Sequence, residues 1–331
     1  MTKVAFFSTK PYDRLSFKDR FSKHQIQASF LDSHLDKTTA NIAAGHTVVC
    51  AFVNDCIDSE VLKIFKQIGV QMVALRSAGF NHVDLKTAQE LGIKIARVPA
   101  YSPHAVAEHT LALVLCLNRK IHKAYNRIRE GNFALNGLLG FDMHTKTVGI
   151  LGTGKIGTIT AKLFKSFGCR VIAHDLEQSQ ELIDAGVNYV SLDQIFREAS
   201  IISLHLPLNR ATKHIIDSAS IEKMQPGVMI VNTSRGGLIN TKAVIAGLKS
   251  KKIGNLAIDV YEEEENLFFD DHSGEVIGDD TFSRLLTFPN VLITGHQAFF
   301  TETALNNIAD TTVQNIVDFS GGKTLKNEVK L

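Results

Sequence analysis

The sequence predicts an α/β protein built from two doubly wound parallel sheets. Short β-rich runs alternate with longer helical patterns along most of the chain, as expected for parallel strands joined by crossover helices. At 331 residues the chain is longer than one domain usually is, and its strand-like runs fall into two sets.

The first set comprises Val4–Phe7, Gln27–Phe30, Val48–Phe52, Met72–Leu75 and Lys94–Arg97. Between them, Ser59 to Gln67 starts at a capping Ser or Asp and places Val61, Leu62, Phe65 and Ile68 at helical spacing. After Pro103 comes a long apolar helix, then a Gly-rich stretch from Gly131 to Gly140. The second set comprises Val148–Leu151, Arg170–Ala173, Ile201–His205, Val228–Asn232, Leu256–Asp259 and Val291–Thr294, the size of a full dinucleotide-binding domain. A final helical pattern, Thr303 to Phe319, ends at Gly321-Gly322.

Hydrophobic residues make up 44% and charged residues 21%, with a net charge of +2 and no basic block. That balance favours neither nucleic acid nor an anionic membrane surface as partner. The N-terminus reads as a first strand rather than a signal peptide, and the apolar run Thr110–Leu117 is far short of the roughly 20 residues that cross a bilayer. A cytoplasmic protein is expected. The four cysteines, Cys50, Cys56, Cys116 and Cys169, lack zinc-site spacing and sit in apolar runs, so buried free thiols and no metal are expected.

The sharpest motif is Gly152-Thr-Gly154-Lys155-Ile156-Gly157, which follows a strand and opens a helix over Lys155–Phe167. Gly152 allows the tight turn, Gly154 lets backbone approach a pyrophosphate, and Gly157 lets helix and strand pack closely. The next strand ends in Asp175, 18 residues after Gly157. A carboxylate there accepts hydrogen bonds from the adenosine ribose and repels a 2′-phosphate, so a Rossmann domain that takes NAD rather than NADP is expected.

Reduction of a carbonyl by hydride needs a cation to hold and polarise the substrate, an acid to protonate the alkoxide, and a group that keeps that acid charged. Arg235, in Asn232-Thr-Ser-Arg-Gly-Gly237, lies just past a strand, and its planar fork matches a carboxylate. His296, in Thr294-Gly-His-Gln-Ala298, also lies past a strand and is the residue type most often used as a proton donor near neutral pH. The acidic run Glu262–Glu265 follows Asp259-Val-Tyr261, and local pattern does not choose among its four carboxylates.

Taken together these residues resemble the D-isomer-specific 2-hydroxyacid dehydrogenase family over almost the whole chain. The resemblance rests on the Gly152–Gly157 loop with Asp175, His205-Leu-Pro207, Asn232–Gly237, Asp259-Val with an acid five residues on, and Gly295-His296. Within the family the chain is most similar to the bacterial fermentative D-lactate dehydrogenases, through Arg76–Asn81, Tyr101–His109, Asn266-Leu-Phe-Phe and Thr294–Phe299. Many family members carry Pro directly after the catalytic Glu; Glu265 stands there in this chain.

The resemblance implies a catalytic trio of Arg235, Glu264 and His296, with the substrate carboxylate anchored by backbone N–H groups at Ala78 and Gly79 and with Tyr101 nearby. It implies NAD contacts at Lys155, Ile156, Asp175, Leu206, Pro207, Thr212, Thr233, Ser234 and Asp259, beside the loop glycines Gly152, Gly154 and Gly157. It also implies a flavodoxin-like substrate domain over residues 1–100 and 299–331, and a Rossmann domain over 101–298, with the active site in the cleft between them. The implied reaction is hydride transfer from NADH to C2 of pyruvate, with proton donation by His296 and closure of the domains to exclude water.

Phe52, Tyr101, Phe299 and Phe300 suggest a small apolar pocket that favours a methyl group. The alternatives are another small 2-oxo acid (glyoxylate, hydroxypyruvate or a branched one) or a non-catalytic, NAD-sensing corepressor on the same fold. The helix Val106–Leu117 carries more apolar surface than one face needs, and with the resemblance it implies a homodimer or homotetramer.

Overall fold

The computed structural model describes residues 1–264 and 267–331, so Glu265 and Asn266, both part of the motifs above, lie outside the described residues. The chain divides into two compact units, Met1–Ser102 with Phe300–Leu331, and Pro103–Phe299.

The first unit runs β1 (Lys3–Phe6), α1 (Pro11–Lys23), β2 (Gln27–Phe30), β3 (Val48–Ala51), α2 (Ser59–Ile68), β4 (Met72–Leu75), α3 (Leu85–Leu91) and β5 (Lys94–Ala96). Its strands form a five-stranded sheet in the order β2-β1-β3-β4-β5, every pair parallel. That is the flavodoxin-like order. Continuous apolar strands such as Met72–Leu75 are buried on both faces, as parallel sheets require. In α2 the Asp58 carboxylate accepts from the N–H groups of Glu60 and Val61, Gly69 ends the helix at φ 87°, and Val61, Leu62 and Phe65 face the core.

The second unit contains α4 (Pro103–Arg119), α5 (Ile121–Arg129), β6 (Thr147–Leu151), α6 (Lys155–Ser166), β7 (Arg170–His174), α7 (Gln180–Asp184), β8 (Asn188–Tyr189) and α8 (Leu192–Glu198). It continues with β9 (Ile201–Leu204), α9 (Ser218–Lys223), β10 (Val228–Asn232), α10 (Thr241–Lys249), β11 (Ile253–Ile258), α11 (Asp280–Leu286) and β12 (Val291–Ile293). The sheet order is β12-β11-β10-β9-β6-β7-β8, again parallel throughout. Counted from β6, this is the Rossmann order with one further strand at the β12 edge, and the order reverses between β6 and β9. Helix α12 (Glu302–Ser320) returns to the first unit, where Arg20 of α1 donates to Asp310 at 2.6 Å and to Asn306 at 3.0 Å.

Three expectations need correction. The second sheet has seven strands where the sequence pattern shows six, because β8 is two residues long and too short to carry a periodicity. Cys56 is exposed and Cys116 half-buried; only Cys50 and Cys169 are buried. Asp55 is buried through its bonds to Ser8, Leu35 and Phe52, and Ile57 lies in the core, while Cys56 between them is exposed. Finally, α4 is largely satisfied by its own core, with Leu113, Val114 and Leu117 buried. The exposed apolar surface lies just beyond it, on Ile121, Tyr125 and Ile128 of α5 and on Phe133, Leu135 and Leu139, each more than half exposed. Among the described residues no helix is long and apolar enough to cross a membrane.

Candidate active site

The Gly-rich turn joins β6 to α6 at the place where the strand order reverses, which is where open α/β sheets bind ligands. Gly152 has φ 95°, and a Cβ there would lie 2.6 Å from the His205 carbonyl oxygen at the end of β9. A Cβ on Gly157 would lie 1.9 Å from the Gly152 oxygen, so helix and turn can pack only with glycine at both positions. Gly154 caps α6, and a Cβ there would meet nothing within 4 Å. The turn is therefore closed behind and open in front of the N–H groups of Lys155 and Ile156, as approach of a pyrophosphate to a helix N-terminus requires.

Asp175 stands at the end of β7. It accepts from the N–H and hydroxyl of Thr153 (2.5 and 3.1 Å) and from the N–H of Leu176 (2.6 Å). Partial burial pushes its carboxyl up, but these hydrogen bonds outweigh burial and hold it below the usual carboxylate range. It is a carboxylate at physiological pH, anchored to the turn it faces. The ends of β9 and β10 are joined as well: the Ser234 hydroxyl donates to the Leu206 carbonyl at 2.7 Å. The Thr212 hydroxyl donates to the Pro207 carbonyl at 2.6 Å and closes the loop beyond. Lys155, Ile156, Asp175, Leu206, Pro207, Thr212, Thr233 and Ser234 all sit in this unit, on turns or a helix start that follow strands β6, β7, β9 and β10.

Arg235 follows β10 in extended backbone. The Asn232 amide clamps its turn, donating to the Arg235 carbonyl at 2.8 Å and accepting from the Ser234 N–H at 3.0 Å. Gly236 packs so tightly that a Cβ would lie 2.0 Å from the Tyr261 carbonyl oxygen. The Arg235 turn is thereby pressed against the segment that carries the acidic run.

Within that run the structure separates the carboxylates. Glu262 bonds to His214 at 2.5 Å and accepts from the Thr241 hydroxyl at 2.9 Å. These bonds, once the cost of burial is overcome, hold it below its usual range. Glu263 is exposed. Glu264 accepts from the Tyr261 N–H at 2.8 Å through one oxygen, and its other oxygen lies 2.8 Å from Nδ1 of His296. The His296 ring also packs against Phe269 at a tilt of 39°, with ring centroids 5.4 Å apart.

Asp259, expected to contact NAD, is completely buried at the end of β11. Its carboxylate accepts from the Thr294 hydroxyl (2.5 Å) and from the N–H groups of Gln297 (2.9 Å) and Ala298 (2.8 Å). It is the hub of the turn that carries His296, a role that no local sequence signal conveys. Ala78, Gly79 and Tyr101 belong to the first unit. There the Ser77 hydroxyl donates to the Gly79 carbonyl and Arg97 donates to the Ala78 carbonyl, both at 2.8 Å, which fixes the turn after β4. Behind that turn, Arg76 is fully buried and donates to the Ser8 carbonyl at 2.7 Å.

Residues 111–298 match the family model described as D-isomer specific 2-hydroxyacid dehydrogenase, NAD binding domain. The chain belongs to this family. It is 49% identical over 327 residues to a D-lactate dehydrogenase of Escherichia coli strain K12, covering 99% of each chain. Its fold matches the apo structure of D-lactate dehydrogenase from Escherichia coli with a TM-score of 0.91 at 46% identity, over 99% of this chain and 100% of that one. It also matches the pyruvate reductase of Chlamydomonas reinhardtii with a TM-score of 0.94 at 43% identity, over 99% and 98%. This dehydrogenase is thus an oxidoreductase whose second unit is the family's NAD-binding domain, and the open Gly154 turn with Asp175 beyond it fits that cofactor.

Proposed function

We propose that this dehydrogenase reduces pyruvate to D-lactate. The observation that carries the reading is the pairing of His296 with Glu264 beside the Arg235 turn: a proton donor, a carboxylate to hold its charge and a cation for the 2-oxo acid, all carried by one domain. With Nδ1 engaged by Glu264, Nε2 of His296 is the atom left to donate. Arg235 binds the 2-oxo acid and stabilises negative charge as it grows on the C2 oxygen, and His296 passes that oxygen its proton. Glu264 holds the imidazolium. Ala78 and Gly79 anchor the substrate carboxylate through their N–H groups, with Tyr101 alongside. Lys155, Ile156, Asp175, Leu206, Pro207, Thr212, Thr233 and Ser234 would hold NAD together with the three loop glycines, while Asp259, expected among these contacts, is fully buried and supports the His296 turn instead; when bound, NADH supplies the hydride for C2.

The similar D-lactate dehydrogenase and pyruvate reductase favour pyruvate among small 2-oxo acids. The test is NADH oxidation with pyruvate, glyoxylate, hydroxypyruvate and a branched 2-oxo acid side by side. The highest kcat/KM is expected with pyruvate and D-lactate as the product. A preference for any of the other three, or no turnover at all, would defeat the reading.

The same reading includes a homodimer or homotetramer. Ile121, Tyr125 and Ile128 of α5 and Phe133, Leu135 and Leu139 beyond it are large apolar side chains left more than half exposed, and self-association would cover them.

A further inference from the structure

His296 sits at φ 53°, a left-handed conformation that a residue with a side chain adopts only when its surroundings impose it. Its own N–H donates to the Asp259 carbonyl at 2.7 Å and to the Thr294 carbonyl at 3.1 Å, so the turn is tied to Asp259 through main chain as well as carboxylate. What fixes Asp259 and Thr294 therefore fixes the imidazole.

One side chain outside the turn reaches both. Nε2 of His109, on α4, lies 3.2 Å from the Thr294 hydroxyl oxygen and 3.5 Å from Oδ1 of Asp259. The direction of the bonds follows from chemistry. A carboxylate only accepts, so the Thr294 hydroxyl spends its proton on Asp259 at 2.5 Å. The hydroxyl oxygen then accepts from His109, and Nε2 must carry a proton. The chain runs His109 Nε2–H to Thr294 Oγ1–H to Asp259 Oδ1, and it ends on a fully buried carboxylate.

The next residue of the same helix makes the matching contact to the other catalytic turn. Thr110 donates to the Val106 carbonyl at 2.8 Å, so its oxygen accepts the Thr233 hydroxyl at 2.7 Å. Thr233 opens the turn that leads to Arg235. Two consecutive residues of a well-buried 17-residue helix thus hold the turns that carry the proposed cation and the proposed proton donor.

We propose that His109 is a positioning residue: through Thr294 and Asp259 it locks the turn that aims His296, and it governs the chemical step rather than the binding of substrate or cofactor. The proposal rests on the assignment of His296 as proton donor. Displacing a catalytic group by about an ångström costs up to roughly a hundredfold in rate, so loss of this lock is expected to lower kcat by about tenfold or more.

The test compares His109→Leu, which removes the donor, with His109→Gln, whose side-chain amide can donate in its place. Thr294→Val breaks the same chain from the other end and carries the test should His109→Leu fold poorly. For each, kcat and KM for pyruvate are measured, with NADH affinity from nucleotide fluorescence and integrity from a thermal melt. His109→Leu and Thr294→Val should lower kcat about tenfold with KM and NADH affinity within about twofold of wild type, and His109→Gln should recover most of the loss. In a His296→Gln background, His109→Leu should cost less than about twofold, because the group it aims is gone. An unchanged kcat in His109→Leu, a loss that appears as NADH affinity, or a full loss that persists in the His296→Gln background would each overturn the proposal. Near-normal kcat in His296→Gln alone would overturn the underlying assignment instead.

Discussion

Nδ1 of His296 and Oε1 of Glu264 lie 2.8 Å apart, and the other oxygen of Glu264 is held by the Tyr261 N–H, also at 2.8 Å. The carboxylate is fixed on the side of the ring away from Nε2, so it orients the imidazole and leaves Nε2 free of the pairing.

That pairing should matter for the chemical step. Glu264→Gln keeps the shape but exchanges the accepting carboxylate for an amide, so kcat for pyruvate should fall by about tenfold or more while NADH affinity is kept. His296→Gln should cost far more, roughly 10²–10⁴-fold, since a positioned acid is lost. Steady-state kinetics with an unchanged kcat in Glu264→Gln would point away from Glu264.

Arg235 is expected to act through its fork as well as its charge. Arg235→Lys keeps the cation and loses the bidentate geometry, so kcat/KM with pyruvate should drop by more than about tenfold while NADH affinity is kept. Steady-state kinetics with near-wild-type turnover and KM would make Arg235 structural.

Asp175 is a carboxylate at neutral pH, tied to Thr153 of the Gly-rich turn. A 2′-phosphate would meet its charge, so wild type should prefer NADH and Asp175→Ala should narrow the gap to NADPH. Because its native carboxyl is held low, the stability it contributes is present above the ordinary carboxylate value and is lost as pH falls below it. The NADH/NADPH ratio of kcat/KM checks the first point; equal use of both by wild type would refute it.

The exposed α5 stripe and the segment beyond it should lie at an interface between copies. Ile121→Asp with Ile128→Asp puts two charges on that stripe and should lower the mass seen by light scattering at micromolar concentration. A wild-type monomer under those conditions would refute an oligomer.

The thiols should separate by reactivity. Burial pushes the Cys50 thiol up to about 12, whereas Cys56 is exposed. A thiol reagent near pH 8 should modify Cys56 first and spare Cys50 until the protein unfolds. Cys50 also favours the folded state below the ordinary thiol value of 9.0, and that contribution is lost as pH rises from there toward 12. Mass mapping of the modified peptides, showing Cys50 labelled in the native state, would contradict this.

Sequence by itself determined the alternation of strands and helices, both sheet classes, and the glycine turn with its acidic partner. These are local: burial on both faces leaves continuous apolar runs such as Val228–Asn232, and a turn at φ 95° with a backbone approach within 2.6 Å leaves room only for Gly152. It did not reveal β8, because two residues carry no period, or the outward turn of Cys56 between Asp55 and Ile57. Local pattern left the acidic run undivided and the family resemblance alone singled out Glu264; the tertiary structure sends Glu262 to His214, 48 residues away, and Glu264 to His296, 32 residues away. It alone made Asp259 the hub of the His296 turn and brought His109 to it from α4, 185 residues before Thr294. Consecutive glutamates are chemically alike, and what distinguishes them is which distant strand end they meet.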